Sequence, residues 1–78
     1  MSLYDIALVT YESAGNPGRH AVRRNLLRNE IESGSLSELL RCLERIECDD
    51  SDDAEEIQRA LSEELSLIRA RVRRLILH

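Results

Sequence analysis

The C-terminal third of the chain constrains the fold most, because its apolar residues recur at alternating spacings of three and four. Side chains at these spacings share one face of an α-helix. The pattern predicts one continuous helix over residues 53–77, with a seam of three heptad repeats as in a coiled coil. The seam consists of Ala54, Leu61, Leu65, Ile68, Val72 and Leu75, with Gln58 as its one polar member.

A continuous helix of this length has a consequence for assembly. It would extend about 37 Å, which is more than three shorter helices of the same chain can cover. The chain has only 78 residues and lacks both Phe and Trp, and small cores of this kind are often completed by oligomerisation. We therefore predict a homodimer, parallel or antiparallel, whose interface consists of Leu61, Leu65, Ile68, Val72 and Leu75.

Two of the three preceding helices have clear boundaries. Pro17 suits the first turn of a helix that ends near residue 32, and the break that follows predicts a left-handed conformation for Gly34. Ser35 and Glu38 form a capping-box sequence for the next helix, which ends at residue 46 or 47, before the acidic run at residues 49–53. The apolar sides predicted for these two helices are Val22, Leu26, Leu27 and Ile31, and Leu36, Leu39, Leu40, Leu43 and Ile46.

The N-terminal segment is ambiguous between helix and strand. Leu3, Ile6 and Ala7 follow helical spacing, and Ser2 with Asp5 forms a capping pair, whereas residues 9–11 favour a strand. We predict a helix over residues 3–12, with a strand as the alternative. The fold class is therefore all-α. Residues 1–78 form a single domain in which three short helices and one long C-terminal helix pack as a bundle.

Charge is distributed in three blocks along the chain. Residues 1–29 carry four arginines and two acidic residues, residues 30–64 carry three arginines and thirteen acidic residues, and residues 65–78 carry four arginines and no acidic residue. These blocks have net charges of +2, −10 and +4. The simplest interpretation is that they face one another or complement helix dipoles, where exposed pairs contribute about 0–1 kcal/mol each.

The basic segment at residues 18–29, GRHAVRRNLLRN, allows a functional interpretation. Its side chains fall in two adjoining rows on a helix, one with His20, Arg24 and Arg28 and the other with Arg19 and Arg23. No carboxylate lies within the segment to neutralise them. We therefore predict that Arg19, Arg23, Arg24 and Arg28 form a partner-binding surface.

The function we expect is that of a small regulatory or adaptor protein, which docks on a larger protein through this basic face. The acidic segment at residues 47–56 is either a second contact with that partner or a shield against nucleic acid. The size and charge of the chain are typical of accessory proteins of phages and viruses. The alternative is a protein that grips the backbone of duplex DNA or RNA, although the acidic block would repel phosphates unless it faced away. A purely structural oligomerisation module is the third interpretation.

Enzymatic and metal chemistry is disfavoured. His20 and His78 are the only imidazoles, and their spacing to Cys42 and Cys48 matches no catalytic or zinc motif. The acidic run at residues 49–53 lacks the glycine and glutamate spacing of a calcium loop. A chain this small has little room for a substrate pocket of about 300 Å³. We expect no enzymatic activity, no cofactor, no metal and no small-molecule substrate.

The compartment is expected to be intracellular, and most simply cytoplasmic. No apolar run approaches the roughly 20 residues of a membrane span, so we expect no membrane association. The first ten residues lack the basic region and cleavage site of a signal peptide. Cys42 and Cys48 are six residues apart, which places them on different sides of a helix, and two thiols do not make a disulfide framework.

Overall fold

The computed structural model describes residues 1–77, and over these residues the protein is all-helical. The five α-helices are α1 Leu3–Glu12, α2 Pro17–Ser33, α3 Leu36–Glu47, α4 Ala54–Ala60 and α5 Ser62–Ile76, with a 3₁₀ turn, Ser13–Gly15, between α1 and α2. The all-α prediction is confirmed. The alternative of a strand at residues 9–11 is wrong, because these residues belong to α1. His78 lies outside the described residues, so the predictions that involve His78 stay predictions.

The predicted helix starts are confirmed by their capping contacts. At α1 the Ser2 hydroxyl accepts a hydrogen bond from the Asp5 amide (3.2 Å) and the Asp5 carboxylate accepts one from the Ser2 amide (3.3 Å). Hydrogen bonding to Ser2 lowers the pKa of the Asp5 carboxyl. The Ser35 hydroxyl caps α3 by accepting from the Glu38 amide at 3.3 Å. Each cap satisfies an amide that the first helical turn leaves without a partner.

Gly34 does not have the predicted left-handed conformation. Its backbone is extended, with φ −71° and ψ 149°. A Cβ atom at this position would lie 2.9 Å from the carbonyl oxygen of Glu30, which is closer than side-chain carbon atoms approach a carbonyl oxygen. The glycine is therefore required by the close approach of its own backbone to α2, and not by a positive φ.

The prediction of one helix over residues 53–77 is wrong, because the helix breaks at Leu61. Leu61 has φ −104° and ψ 20°, and it separates the seven-residue α4 from the fifteen-residue α5. Among the described residues, no backbone hydrogen bond joins the amides of residues 62–64 to the carbonyls of residues 58–60. The two pieces bury their apolar sides against different neighbours, because α4 contacts α1 and α3 whereas α5 contacts α2 and α3.

The helices form a four-sided bundle with α4 at one end. Helix α1 packs against α2 and α3, and α5 also packs against α2 and α3, while α4 contacts α1, α3 and α5. Helices α1 and α5 therefore occupy opposite corners, as do α2 and α3. It follows that the edge between α1 and α2 lies across the bundle from the edge between α3 and α5. None of the helices within residues 1–77 combines the length and the apolar character that crossing a bilayer requires.

The core accounts for most of the heptad seam within one chain. Leu61, Leu65, Ile68 and Val72 are all buried, and Leu75 is half-buried. They pack in one cluster with buried residues of the other helices, which are Leu3, Ala7, Leu27, Ile31, Leu39, Cys42, Ile46 and Ile57. The seam therefore does not require a second copy to cover it. Homodimerisation through these five residues remains a prediction, but uncovered apolar surface on the seam no longer supports it.

The predicted apolar sides of α2 and α3 are only partly inside. On α2 the core takes Leu27 and Ile31, whereas Val22 and Leu26 are exposed. On α3 the residue Leu40 is exposed as well. A helix at the corner of a four-sided bundle buries a narrow stripe, so apolar residues at the margins of the stripe remain in contact with solvent.

Candidate functional site

Helix α2 carries the predicted partner-binding arginines, and its start is fixed by its own sequence. Asn16 precedes the helix and its side-chain oxygen accepts a hydrogen bond from the Arg19 amide at 3.2 Å, while Pro17 occupies the first turn. Leu27 and Ile31 face the core. The two rows of arginines consequently lie on opposite flanks of the buried stripe, with Arg24 and Arg28 towards α5 and Arg19 and Arg23 towards α1.

The row towards α5 is neutralised inside the protein. Arg24 donates through Nε to Glu64 Oε1 at 2.8 Å and through a terminal nitrogen to Glu63 Oε2 at 2.5 Å. Arg28 donates to the same Glu63 oxygen at 3.1 Å. The hydrogen bond to Glu64 raises the pKa of Arg24. The carboxylates that were missing from the basic segment are thus supplied by the first turn of α5.

The row towards α1 has no such partners. Among the described residues, no carboxylate forms a salt bridge with Arg19 or Arg23. Val22 and Leu26 lie on the same side of α2 and are exposed. These four residues, Arg19, Val22, Arg23 and Leu26, are called the outer α2 face below. It presents two guanidinium groups and two aliphatic side chains within two helical turns.

A shallow groove extends the outer α2 face onto α1. Its volume is about 200 Å³, and its lining residues are Met1, Ile6, Val9, Arg23, Leu26 and Glu30. Helix α1 supplies the aliphatic wall, and α2 supplies the opposite wall. The surface is therefore mainly apolar with charge at its rim, which is the arrangement that receives an amphipathic helix.

The connection between α1 and α2 is held by hydrogen bonds to one carbonyl oxygen. The Thr10 carbonyl accepts from the Ser13 hydroxyl at 2.7 Å and lies 3.1 Å from His20 Nδ1. A carbonyl oxygen only accepts, so this contact assigns the proton to Nδ1. The Ser13 hydroxyl oxygen lies 3.3 Å from the same nitrogen. Because Nδ1 already carries a proton, it cannot accept the proton of the Ser13 hydroxyl. These contacts join the last turn of α1 to the first turn of α2.

The remaining candidates for chemistry are dispersed. Burial raises the pKa of the Cys42 thiol to about 11, so Cys42 is protonated at neutral pH and unreactive. Cys48 is exposed, and both cysteines are free. Within residues 1–77, no group of three or more His, Cys, Asp or Glu side chains is placed to hold a metal ion. The Asp49 carboxylate accepts hydrogen bonds from the amide and hydroxyl of Ser51.

Two features of the site were missed in the sequence. Glu64 was counted only as a member of the acidic block at residues 30–64, although it is buried beside Arg24. The signal was present, because Glu64 follows Leu61 by three residues and precedes Ile68 by four, so it falls within the apolar stripe. The exposure of Val22 and Leu26 had no local signal, because their spacing also fits a buried face.

Comparisons with models of known families, with curated proteins and with solved structures found no match for this chain. A function for the protein has to be inferred from the geometry of its own surface.

Proposed function

We propose that this protein is a non-enzymatic adaptor that docks on a larger protein through the outer α2 face. The observation that supports this most is the pairing of exposed Val22 and Leu26 with Arg19 and Arg23, which have no carboxylate partner among the described residues. Aliphatic side chains favour a partner that removes them from water. The free guanidinium groups favour one with carboxylates beside its apolar residues.

The partner chemistry that fits is an acidic amphipathic helix. Its apolar side would cover Leu26 and the aliphatic wall of α1, and its glutamates or aspartates would meet Arg19 and Arg23. Exposed ion pairs contribute about 0–1 kcal/mol each, so the arginines would set which helix binds and in which direction, while the apolar contacts would supply most of the affinity.

Binding to duplex nucleic acid remains the alternative, but fewer unpaired arginines support it than the sequence suggested. Two of the four arginines of α2 are occupied by Glu63 and Glu64. Two remaining phosphate contacts would give a salt dependence with a slope of only about −1.8. Val22 and Leu26 would gain nothing from a phosphate backbone. The exposed acidic residues between positions 50 and 56 would also repel it, and we propose that this segment serves as a shield against nucleic acid.

A charge-exchange experiment tests the proposal. The probe is a labelled helical peptide with leucines at spacings of three and four and glutamates on both flanks, compared with the same peptide carrying lysines instead. We expect wild-type protein to prefer the acidic peptide about tenfold, measured by fluorescence anisotropy, and the double variant Arg19→Glu with Arg23→Glu to prefer the basic one. Leu26→Glu should abolish binding of both.

The matched control is Leu40→Glu on α3, because Leu26 and Leu40 are almost equally exposed, at 48% and 45%. This variant should bind the acidic peptide as wild type does. Equal binding of both peptides by wild type would contradict the proposal. A mobility shift of duplex DNA or RNA at low salt that is lost in the Arg19/Arg23 variant would establish the nucleic-acid alternative in its place.

A further inference from the structure

A second groove lies across the bundle from the outer α2 face, between α3 and α5. Its volume is about 450 Å³, and it is lined by Leu43, Val72, Ile76 and Leu77 together with Arg69 and Arg73. The groove is an open surface feature and not an enclosed substrate pocket. Ile76 and Leu77 are exposed, and so is Leu40, which shares one side of α3 with Glu47 at a spacing of seven residues.

The two walls of this groove carry opposite charges at matching heights. Glu47 on α3 pairs with Arg69 on α5 at 2.5 Å, which fixes the two helices at a common level. Glu44 lies three residues before Glu47 on α3, and Arg73 lies four residues after Arg69 on α5. Each is therefore roughly one helical turn from the Glu47–Arg69 pair, in the same direction along the groove. Neither Glu44 nor Arg73 forms a salt bridge with another described residue.

The exposed aliphatic residues continue the same register. Leu40 precedes Glu47 by seven residues and Ile76 follows Arg69 by seven residues, so each lies about 10.5 Å from the Glu47–Arg69 pair. The α3 wall therefore presents Leu40 and Glu44 in the order in which the α5 wall presents Ile76 and Arg73. A second copy can be related to the first by a two-fold axis that is parallel to the helices. This rotation places α3 of each chain against α5 of the other, and it leaves the height of every residue along the axis unchanged.

We propose that the groove between α3 and α5 is the interface of a homodimer, in which Glu44 pairs with Arg73 of the second copy and Leu40 packs against Ile76 of the second copy. A uniformly acidic partner would be repelled by Glu44, and a uniformly basic partner would be repelled by Arg73. A second copy presents the complementary charge at both positions, because an isologous interface forms each pair twice.

This interface differs from the one expected from the heptad seam, since Leu61, Leu65 and Ile68 are enclosed by their own chain. It also leaves the outer α2 faces free on opposite edges of the dimer. A dimer of this form would dock on two partner segments at once, and a partner with two such segments would gain avidity. The dimer itself does not depend on the docking proposal, because it involves no residue of the outer α2 face.

Sedimentation equilibrium of the full chain tests the dimer, with far-UV circular dichroism as a check on folding. We expect wild type to approach twice its 9.0 kDa mass as its concentration rises. Glu44→Arg alone and Arg73→Glu alone should each weaken dimerisation about tenfold, because each replaces two attractive pairs with two repulsive ones. The double variant with both reversals should restore it, which no folding defect would do.

The apolar half of the interface has its own pair of variants. Leu40→Glu should give a monomer, and Leu26→Glu, on the opposite edge, should dimerise as wild type does. The proposal is overturned if wild type remains a 9.0 kDa monomer at millimolar concentration. It is equally overturned by a dimer that neither single charge reversal weakens. These outcomes are separate from the peptide titration, in which Leu26→Glu fails and Leu40→Glu does not.

Discussion

The buried contact between Glu64 and Arg24 gives the sharpest stability prediction. Glu64 is 2% exposed, whereas its neighbour Glu63, which binds the same arginine, has a side chain that is 67% exposed. Replacing each in turn by glutamine keeps the size of the side chain and removes the charge. The two variants therefore compare the same chemical change at a buried and at an exposed end of one cluster.

The expected magnitudes follow from these environments. Removing one partner of a fully buried ion pair costs about 3–5 kcal/mol. Arg24 has a side chain that is 34% exposed and keeps its contact with Glu63, so we expect a lower value of about 2 kcal/mol for Glu64→Gln, near that of one charged hydrogen bond. Glu63→Gln should cost less than about 1 kcal/mol. In a domain of this size, 2 kcal/mol lowers the Tm by about 8–16 °C.

Urea unfolding followed by circular dichroism measures both variants, and it also checks that the dependence of the free energy on urea is unchanged. A double variant, Arg24→Met with Glu64→Leu, should recover most of the loss, because an apolar pair of similar volume replaces the buried charges. Equal losses for the two glutamine variants would refute the reasoning, since burial would then make no difference. A gain in stability for Glu64→Gln would refute it as well.

Three further predictions concern the glycines and the cysteines. Gly34→Ala should destabilise the protein by about 1–3 kcal/mol in urea unfolding, because its Cβ would press on the Glu30 carbonyl, whereas Gly15→Ala, with open space around it, should be neutral or slightly stabilising. In the native protein iodoacetamide should modify Cys48 and spare Cys42, as read by mass spectrometry. Because burial raises the pKa of Cys42 to about 11 from 9.0, the stability that its thiol form contributes is present below pH 9 and is lost as the pH rises towards 11. Loss of that pH dependence in Cys42→Ala would confirm its source.

Local patterns in the sequence were sufficient to predict where α1, α2 and α3 begin. The caps at Ser2 and Ser35 and the first-turn proline at Pro17 are contacts within a few residues, so their geometry depends little on the rest of the chain. That Leu65 and Ile68 share one helix face was also predictable, because a period of three and four places them together wherever the helix lies, but the sequence assigned that face to a dimer interface and the structure buries it in the chain's own core.

The break at Leu61 could not be predicted in the same way. No proline or glycine lies near it, and the heptad spacing continues through it without interruption. A straight helix and a broken one satisfy the same local pattern. The two pieces pack against different neighbours, with α4 on α1 and α3 and α5 on α2 and α3, and these contacts are not encoded in the local pattern.

The sequence by itself determined which segments are helical, where most of them begin and that the basic residues of α2 form two rows. The tertiary structure alone decided which of these rows is paired with carboxylates. Arg24 and Arg28 reach carboxylates that lie 35 to 40 residues away in the chain, whereas Arg19 and Arg23 lie on the flank that faces α1. The physical reason is that periodicity assigns a side chain to a face of its own helix, while the charges opposite that face depend on how distant helices pack.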